Sequence, residues 1–174
     1  GPPADQTRPR QRFEFTTAAY LEYGMSTPPG SIWNLDQLAS KIRAYHGDEY
    51  KFDIKLDATQ FGLDHRDFHT YFHTGLHVDI IDRIVTHTRF RTWWNNFVRL
   101  YRRLDANKPV VKVLITCPTG DKRSVAAAEI LKYILREMDK DAHDDTIHLS
   151  YPPHCSEHLA ICSACGDHKK QRRF

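Results

Sequence analysis

Three stretches of the chain carry apolar residues in the pattern of β-strands. From Arg12 to Thr17 and from Tyr50 to Leu56 every second side chain is apolar, which predicts strands with one buried face. The run from Val110 to Thr116 is apolar on both faces, as expected of a central strand in a parallel sheet. A short last strand is predicted from Thr146 to Tyr151, and Pro152 ends it.

Apolar residues three or four positions apart predict four helices. The first begins near Asn34, which pairs with Gln37 as an N-cap signal, and it stops at Gly47. The other three are predicted over 78–85, 90–104 and 124–138. The expected buried stripes are Leu35, Leu38, Ile42 and Tyr45 in the first helix, and Phe90, Trp94, Phe97, Tyr101 and Leu104 in the third.

The alternation of strands and helices predicts an α/β domain. We expect one domain over residues 12–151, with a mixed, mostly parallel sheet, flanking helices and a strand–loop–helix phosphate-binding turn. Residues 1–11 are polar and Pro-rich, so they are expected to be disordered, and Gly1-Pro2 resembles the remnant of a removed affinity tag. Residues 152–174 form a separate Cys/His-rich tail.

Composition narrows the class of protein only in part. The 174 residues carry a net charge of +3, which permits an acidic partner without requiring one. No segment approaches the roughly 18 consecutive apolar residues of a membrane span, and no signal peptide is evident. Four Cys residues favour thiol chemistry or metal binding over a disulfide framework. We therefore expect an intracellular protein, cytoplasmic or nuclear; association with copies of itself stays open.

The most informative segment is the loop from Cys117 to Ser124. It follows the apolar strand and opens the last helix, so unpaired backbone N–H groups and the helix dipole favour an anion there. Arg123 adds a guanidinium that binds phosphate through two N–H groups. The residues expected to contact a phosphate in this loop are Cys117, Thr119, Gly120, Lys122, Arg123 and Ser124.

The spacing Cys-x5-Arg-Ser also occurs in cysteine-dependent phosphatases. Cys117 would then be the nucleophile and Arg123 would stabilise the transferred group. Pro118 removes one N–H and Asp121 adds negative charge, and both weaken anion binding. An inert buried thiol with a solvated arginine is the third alternative. The general acid would be one of three aspartates in the preceding long loop: Asp57, Asp64 or Asp67.

Two blocks of the chain resemble the C-terminal domain of the RapZ family. The loop and the start of its helix, 115–129, are similar to the family's Gly-Cys-Thr-Gly-Gly-x-His-Arg-Ser-Val signature and the Ala-Glu that follows it. The strand end Phe52 to Lys55 is similar to the family's Phe-Asp-Val-Arg. His65-x-Asp67 followed by Thr74-Gly75 matches the family's His-Trp-Asp and Thr-Gly spacing. The resemblance covers roughly residues 12–151.

The resemblance implies a domain that senses a sugar phosphate, binds small RNAs and acts as an adaptor. It assigns further ligand contacts to Asp53 and His65, and Lys55 stands where the family has Arg. Pro118-Thr119 replaces the usual Thr-Gly, and Asp121-Lys122 replaces a pair that ends in His. These departures leave the anion site intact and the identity of the sugar open.

Two sets of residues have spacings typical of metal ligands. His residues recur every four positions through the long loop, although such histidines are more often surface or core polar residues: His65, His69, His73 and His77. In the tail, a Cys-x2-Cys knuckle predicts a structural Zn²⁺ site with three Cys ligands and one His. Its candidate ligands are Cys155, Cys162 and Cys165 with one of His154, His158 or His168.

RNA is the second partner class that the charges allow. Five arginines surround the Trp93-Trp94 pair of the third helix, and a basic run ends the chain. The aromatic residues stand at core spacing, so we expect them to be buried rather than to stack on bases. The arginines are Arg89, Arg91, Arg99, Arg102 and Arg103.

Overall fold

A computed structural model describes residues 10–20, 32–62 and 73–150, with the backbone only for residues 32–37. In chain order the strands are β1 (Arg12–Ala19), β2 (Ile54–Asp57), β3 (Val110–Cys117), β4 (Asp141–Ala142) and β5 (Ile147–His148). The helices are α1 (Ile32–His46), α2 (Val78–Val85), α3 (Phe90–Arg102) and α4 (Arg123–Glu137).

The five strands form one sheet in the order β2-β3-β1-β4, and β5 pairs with β1. Every ladder among these strands is parallel. Ala19 pairs with Cys117, and Asp57 pairs with Thr116, so β1, β2 and β3 end at the same edge. The predicted α/β class with a mostly parallel sheet is confirmed.

Helices cover both faces of the sheet. The larger core joins Phe13, Phe15 and Ile115 of the sheet to buried residues of α2, α3 and α4. The smaller core lies on the opposite face, where Leu38 of α1 packs against Leu114. Burial of both faces explains why β3 is almost continuously apolar.

Most predicted elements are present, with shifted boundaries. α2 has the predicted bounds, whereas α1 begins at Ile32, before the expected cap Asn34. The predicted last strand contracts to two residues, and β4 was not foreseen. The expected burial of Tyr45 is wrong, because its side chain is 61% exposed.

β2 begins four residues later than the alternation predicts. Tyr50 does not join the ladder; its ring stacks on His46 at 3.8 Å between centroids. Asp53 lies just before the strand and accepts a hydrogen bond from the Lys112 N–H at 2.8 Å. β2 also ends one residue later than predicted, so Asp57 is the residue that ends it, and this matters for the site.

Candidate functional site

The loop after β3 lies where the carboxyl ends of the parallel strands meet. Ligands of open α/β sheets bind at this edge. Gly120 has φ +72°, and a Cβ there would lie 2.6 Å from the Ala19 nitrogen and 2.9 Å from the Ser150 Cβ. Ser150 in turn accepts a hydrogen bond from the Ala19 N–H at 2.6 Å. The loop therefore packs directly on the end of β1, and only glycine fits at position 120.

Cys117 points into its own loop. The Gly120 N–H lies 3.2 Å from the sulfur, and the Ser124 hydroxyl oxygen lies 3.2 Å from it. Both Cys117 and Ser124 are fully buried. The Gly120 N–H donates to the sulfur, the thiol donates to the Ser124 hydroxyl oxygen, and α4 begins at Arg123, the residue before Ser124.

Arg123 is a half-buried cation, and most of its N–H donors have no acceptor among the residues that the structure describes. Its Nη1 donates to the Thr59 carbonyl at 2.9 Å. Within the described part of the chain this is the only hydrogen bond of the guanidinium, and no carboxylate pairs with it. Since a guanidinium carries five N–H donors, four remain for an anion.

Beside Arg123, three side chains form a hydrogen-bonded chain across two strand ends. The Thr59 hydroxyl donates to Asp57, whose Oδ1 also accepts from the Thr59 N–H at 2.9 Å. The Tyr20 hydroxyl lies 2.8 Å from the Thr59 hydroxyl, and must be the donor because that proton is committed to Asp57. Burial raises the pKa of Tyr20, and Asp57 and Cys117 raise it further, while Thr59 and Arg123 oppose the shift. Tyr20 is therefore a neutral phenol at physiological pH.

Sequence reasoning missed Tyr20 and Thr59. Each lies just beyond a strand, Tyr20 one residue after β1 and Thr59 two residues after β2. The signal that the sequence offers for these two residues is that each follows the end of a strand. This signal points to the site only when the parallel register shows that β1 and β2 both end beside Cys117.

The segment from His73 to His77 also contacts the loop. The Gly75 N–H donates to the Asp121 carbonyl at 2.8 Å. A Cβ on Gly75 would lie 2.1 Å from the Lys122 carbonyl oxygen and 2.4 Å from the Ala126 nitrogen. The structure thus brings Thr74-Gly75 against the Cys-x5-Arg loop. This contact is needed if the two segments that resemble the RapZ family are to form one site.

Asp121 was expected to repel an anion, but its charge is compensated. Its carboxylate pairs with the Lys122 ammonium at 2.8 Å and accepts a hydrogen bond from the Thr119 hydroxyl. Lys122 is consequently engaged within the loop. Arg123 is left as the cation available to a ligand.

Asp53 and Lys55 do not reach the loop. Asp53 lies four residues before Asp57, about 13 Å away along an extended strand. Its carboxylate binds the Lys112 N–H and pairs with the Lys108 ammonium at 3.1 Å. Lys55 is exposed and two residues short of the strand end. In this structure the two residues lie apart from the loop, because β2 ends at Asp57, and their contact with a ligand stays a prediction.

Two of the four predicted histidines lie in the described part of the chain, and both pack against neighbouring residues: His73 and His77. His77 caps α2, where its Nδ1 accepts the Asp79 N–H at 3.0 Å. The rings of His73 and His77 are 4.1 Å apart and both side chains are buried. Among the described residues no group of three His, Cys, Asp or Glu side chains could hold a metal ion.

Several predicted residues lie outside the described part of the chain and stay predictions. In the long loop these are Asp64, His65, Asp67 and His69. In the tail they are the zinc candidates His154, Cys155, His158, Cys162, Cys165 and His168.

The aromatic face of α3 is buried, as predicted, but around a different tryptophan. Trp93 is 2% exposed, and its indole N–H donates to the Asp57 carbonyl at 3.0 Å. Trp94 is only partly buried. The five arginines of the segment are all exposed: Arg89, Arg91, Arg99, Arg102 and Arg103.

No family model matches the chain, and no curated protein matches it significantly. The resemblance to the RapZ C-terminal domain consequently depends on the quoted motifs. In the described part of the chain, no helix has the length and apolar character needed to cross a membrane.

Proposed function

We propose that this domain binds the phosphate group of a phosphorylated small molecule at the Cys117–Ser124 loop. The observation that carries the proposal is Arg123. Among the described residues, this half-buried guanidinium has one carbonyl partner, and it lies beside the first turn of α4 and the ends of three parallel strands. The first N–H groups of a helix have no intrahelical acceptor, so they and Arg123 can bind the same anion.

The rest of the ligand would lie over Tyr20, Thr59 and Asp57. Asp57 is exposed, and the Tyr20 hydroxyl retains its lone pairs after donating to Thr59. Carboxylate and phenol oxygens suit the hydroxyl groups of a sugar or polyol. A sugar phosphate is therefore the ligand class that we propose, in agreement with the RapZ resemblance and its sensing and adaptor role.

The proposal is tested with inorganic phosphate and glucosamine 6-phosphate as probes in calorimetry. Arg123→Ala should weaken binding by about 10- to 100-fold, since hydrogen bonds between charged groups contribute about 1.5–3 kcal/mol. Arg43→Ala, which changes an exposed arginine at the end of α1, is the matched control and should bind like the wild type. Equal binding by wild type and Arg123→Ala would rule the site out.

A cysteine-dependent phosphatase is the second candidate function. It is favoured by the Gly120 N–H, which donates to the Cys117 sulfur, and by the Ser124 hydroxyl, whose oxygen lies 3.2 Å from that sulfur. The thiolate would form a P–S bond as the P–O bond to the leaving group breaks, and a carboxyl group would protonate the leaving oxygen. Water would then hydrolyse the thiophosphate. Of the three predicted acids, Asp57 lies within the described residues, whereas Asp64 and Asp67 lie outside them.

The two functions differ in turnover. Phosphate release from p-nitrophenyl phosphate or a sugar phosphate, abolished by Cys117→Ser, would establish the enzyme. The full burial of Cys117 favours binding without turnover. For a binding domain we expect no release from either substrate, with unchanged phosphate affinity in Cys117→Ser.

RNA is a further partner proposed for the arginine face of α3. Residues 86–104 contain no acidic residue, so nothing within the segment compensates its arginines. At 100° per residue, four of them occupy the half of the helix opposite Trp93 and Phe97: Arg91, Arg99, Arg102 and Arg103. An uncompensated, exposed arginine face is suited to a phosphate backbone.

A further inference from the structure

An apolar groove separates α2 from α4 on the surface of the domain. Its volume is about 410 Å³, enough for several side chains of a partner. The groove is lined mainly by Val78, Ile81 and Val85 of α2 and by Ile130, Tyr133 and Ile134 of α4.

Large apolar side chains of the groove are exposed to water, and this exposure is energetically unfavourable. Val78 is 54% exposed, Val85 41% and Tyr133 52%. These are three of the five large apolar side chains that are exposed in the described residues. Contiguous exposed apolar surface of this kind marks binding sites.

Carboxylates flank the groove on both helices. Asp82 is exposed and stands one turn from Val78 and Val85, and Glu137 continues the α4 face one turn after Tyr133. Neither forms an ion pair within the described part of the chain. Glu129 lines the groove but pairs with Lys132 at 2.8 Å. Arg83 lies roughly 150° around α2 from the Val78–Val85 line, so it does not neutralise this rim.

The size and charge of the groove select among occupants. Eight residues line it, whereas a stable protein dimer uses about 20–30 residues a side. Two copies of the domain would also bring like-charged rims together. A small apolar molecule would fill the groove without using the carboxylates.

We propose that the groove binds an amphipathic helical segment of a partner protein. Apolar residues at i, i+3 or i+4 and i+7 would enter the groove, and Lys or Arg residues beside them would face Asp82 and Glu137. This inference does not depend on the anion site. The two sites nevertheless share elements, because α4 begins at the Cys117–Ser124 loop and His77 caps α2 beside Gly75.

The test uses two fluorescent peptides with the same helical leucine stripe, one flanked by Lys and one by Glu. Anisotropy should show about tenfold tighter binding of the Lys-flanked peptide to the wild type. The exposed-site variant Val85→Ser/Tyr133→Ala should weaken that binding about tenfold, and Asp82→Lys/Glu137→Lys should remove the preference for Lys. Tyr45→Ala, an exposed aromatic residue on α1, is the matched control and should leave binding unchanged.

Other outcomes overturn the proposal. No binding, equal binding of both peptides, or binding insensitive to Val85→Ser/Tyr133→Ala would do so. Sedimentation that shows a wild-type dimer, absent in this variant, would assign the groove to a second copy. Binding of the apolar dye ANS that the Lys-flanked peptide fails to displace would assign it to a small apolar ligand.

Discussion

At the scale of single residues, the site depends on side chains whose position in sequence does not reveal their role. Arg123 was identified from its spacing to Cys117. Tyr20 and Thr59 were not, although they form a hydrogen-bonded chain with Asp57 at the same edge. Local spacing identifies neighbours in the loop, because a short loop keeps them together in any fold.

Gly120 should be among the least replaceable residues of the loop. Gly120→Ala combines positive φ with a Cβ 2.6 Å from the Ala19 nitrogen. Gly47→Ala is the control, since Gly47 has φ +86° and open space around it. We expect Gly47→Ala to cost about 1 kcal/mol and Gly120→Ala more than about 2 kcal/mol in urea unfolding. Equal losses would mean that the loop does not pack on β1 as described.

His46 should make stability depend on pH. Burial lowers its pKa below 6.5, and Lys112 lowers it further while Glu14 opposes the shift. The unfolded chain therefore binds more protons between the folded pKa and 6.5. The stabilisation is complete above pH 6.5 and is lost as pH falls through the folded pKa.

Urea unfolding from pH 5 to 8 should show this loss in the wild type and a smaller one in His46→Gln. Glutamine keeps a polar partner for the Thr16 hydroxyl, which lies 3.3 Å from the His46 ring nitrogen. Parallel pH profiles for the two proteins would contradict the assignment. The His46 pKa can be followed separately by NMR.

At the scale of elements, the periodicity of apolar residues located the strands and helices well. It was less accurate about which face of each element is buried. α2 has the expected bounds, and β3 ends one residue later than expected, at Cys117. In α3, however, the spacing selected Trp94, whereas the fold buries Trp93. Two adjacent tryptophans differ by 100° around a helix, and only the partner surface decides which one is buried.

The exposed face of α3 is the element to test for RNA. Binding of a single-stranded RNA should weaken steeply with salt. Arg99→Gln/Arg102→Gln should reduce the slope of log K against log salt by about 1.4, since each phosphate that is no longer neutralised accounts for about 0.7. The matched control is Arg43→Gln/Lys51→Gln, which removes two exposed cations elsewhere. An unchanged slope in the α3 variant would exclude this face.

At the scale of the whole molecule, the fold connects two sequence blocks that lie about 60 residues apart. β2 and β3 are parallel neighbours, and the Gly75 N–H donates to the Asp121 carbonyl. The same fold holds the apolar groove next to α4, the helix that begins at the proposed anion site. Binding at both sites would suit an adaptor.

The zinc prediction concerns the tail. Protein purified without chelator should carry close to one zinc per chain, because three thiolates and one imidazole form a complete tetrahedral site. Cys162→Ser/Cys165→Ser should lose the metal. Cys117→Ser, which changes the buried thiol of the loop, should retain it. Elemental analysis with no near-stoichiometric zinc in the wild type would contradict the prediction.

The sequence by itself determined the α/β class, the position of most elements and the loop that joins Cys117 to Arg123. These follow from side-chain periodicity and chain connectivity, which act over a few residues. Only the tertiary structure decided that Tyr20, Thr59 and Gly75 adjoin the loop and that Asp53 does not. Those placements depend on strand register and on where β2 ends, and both are set by packing between segments far apart in the chain.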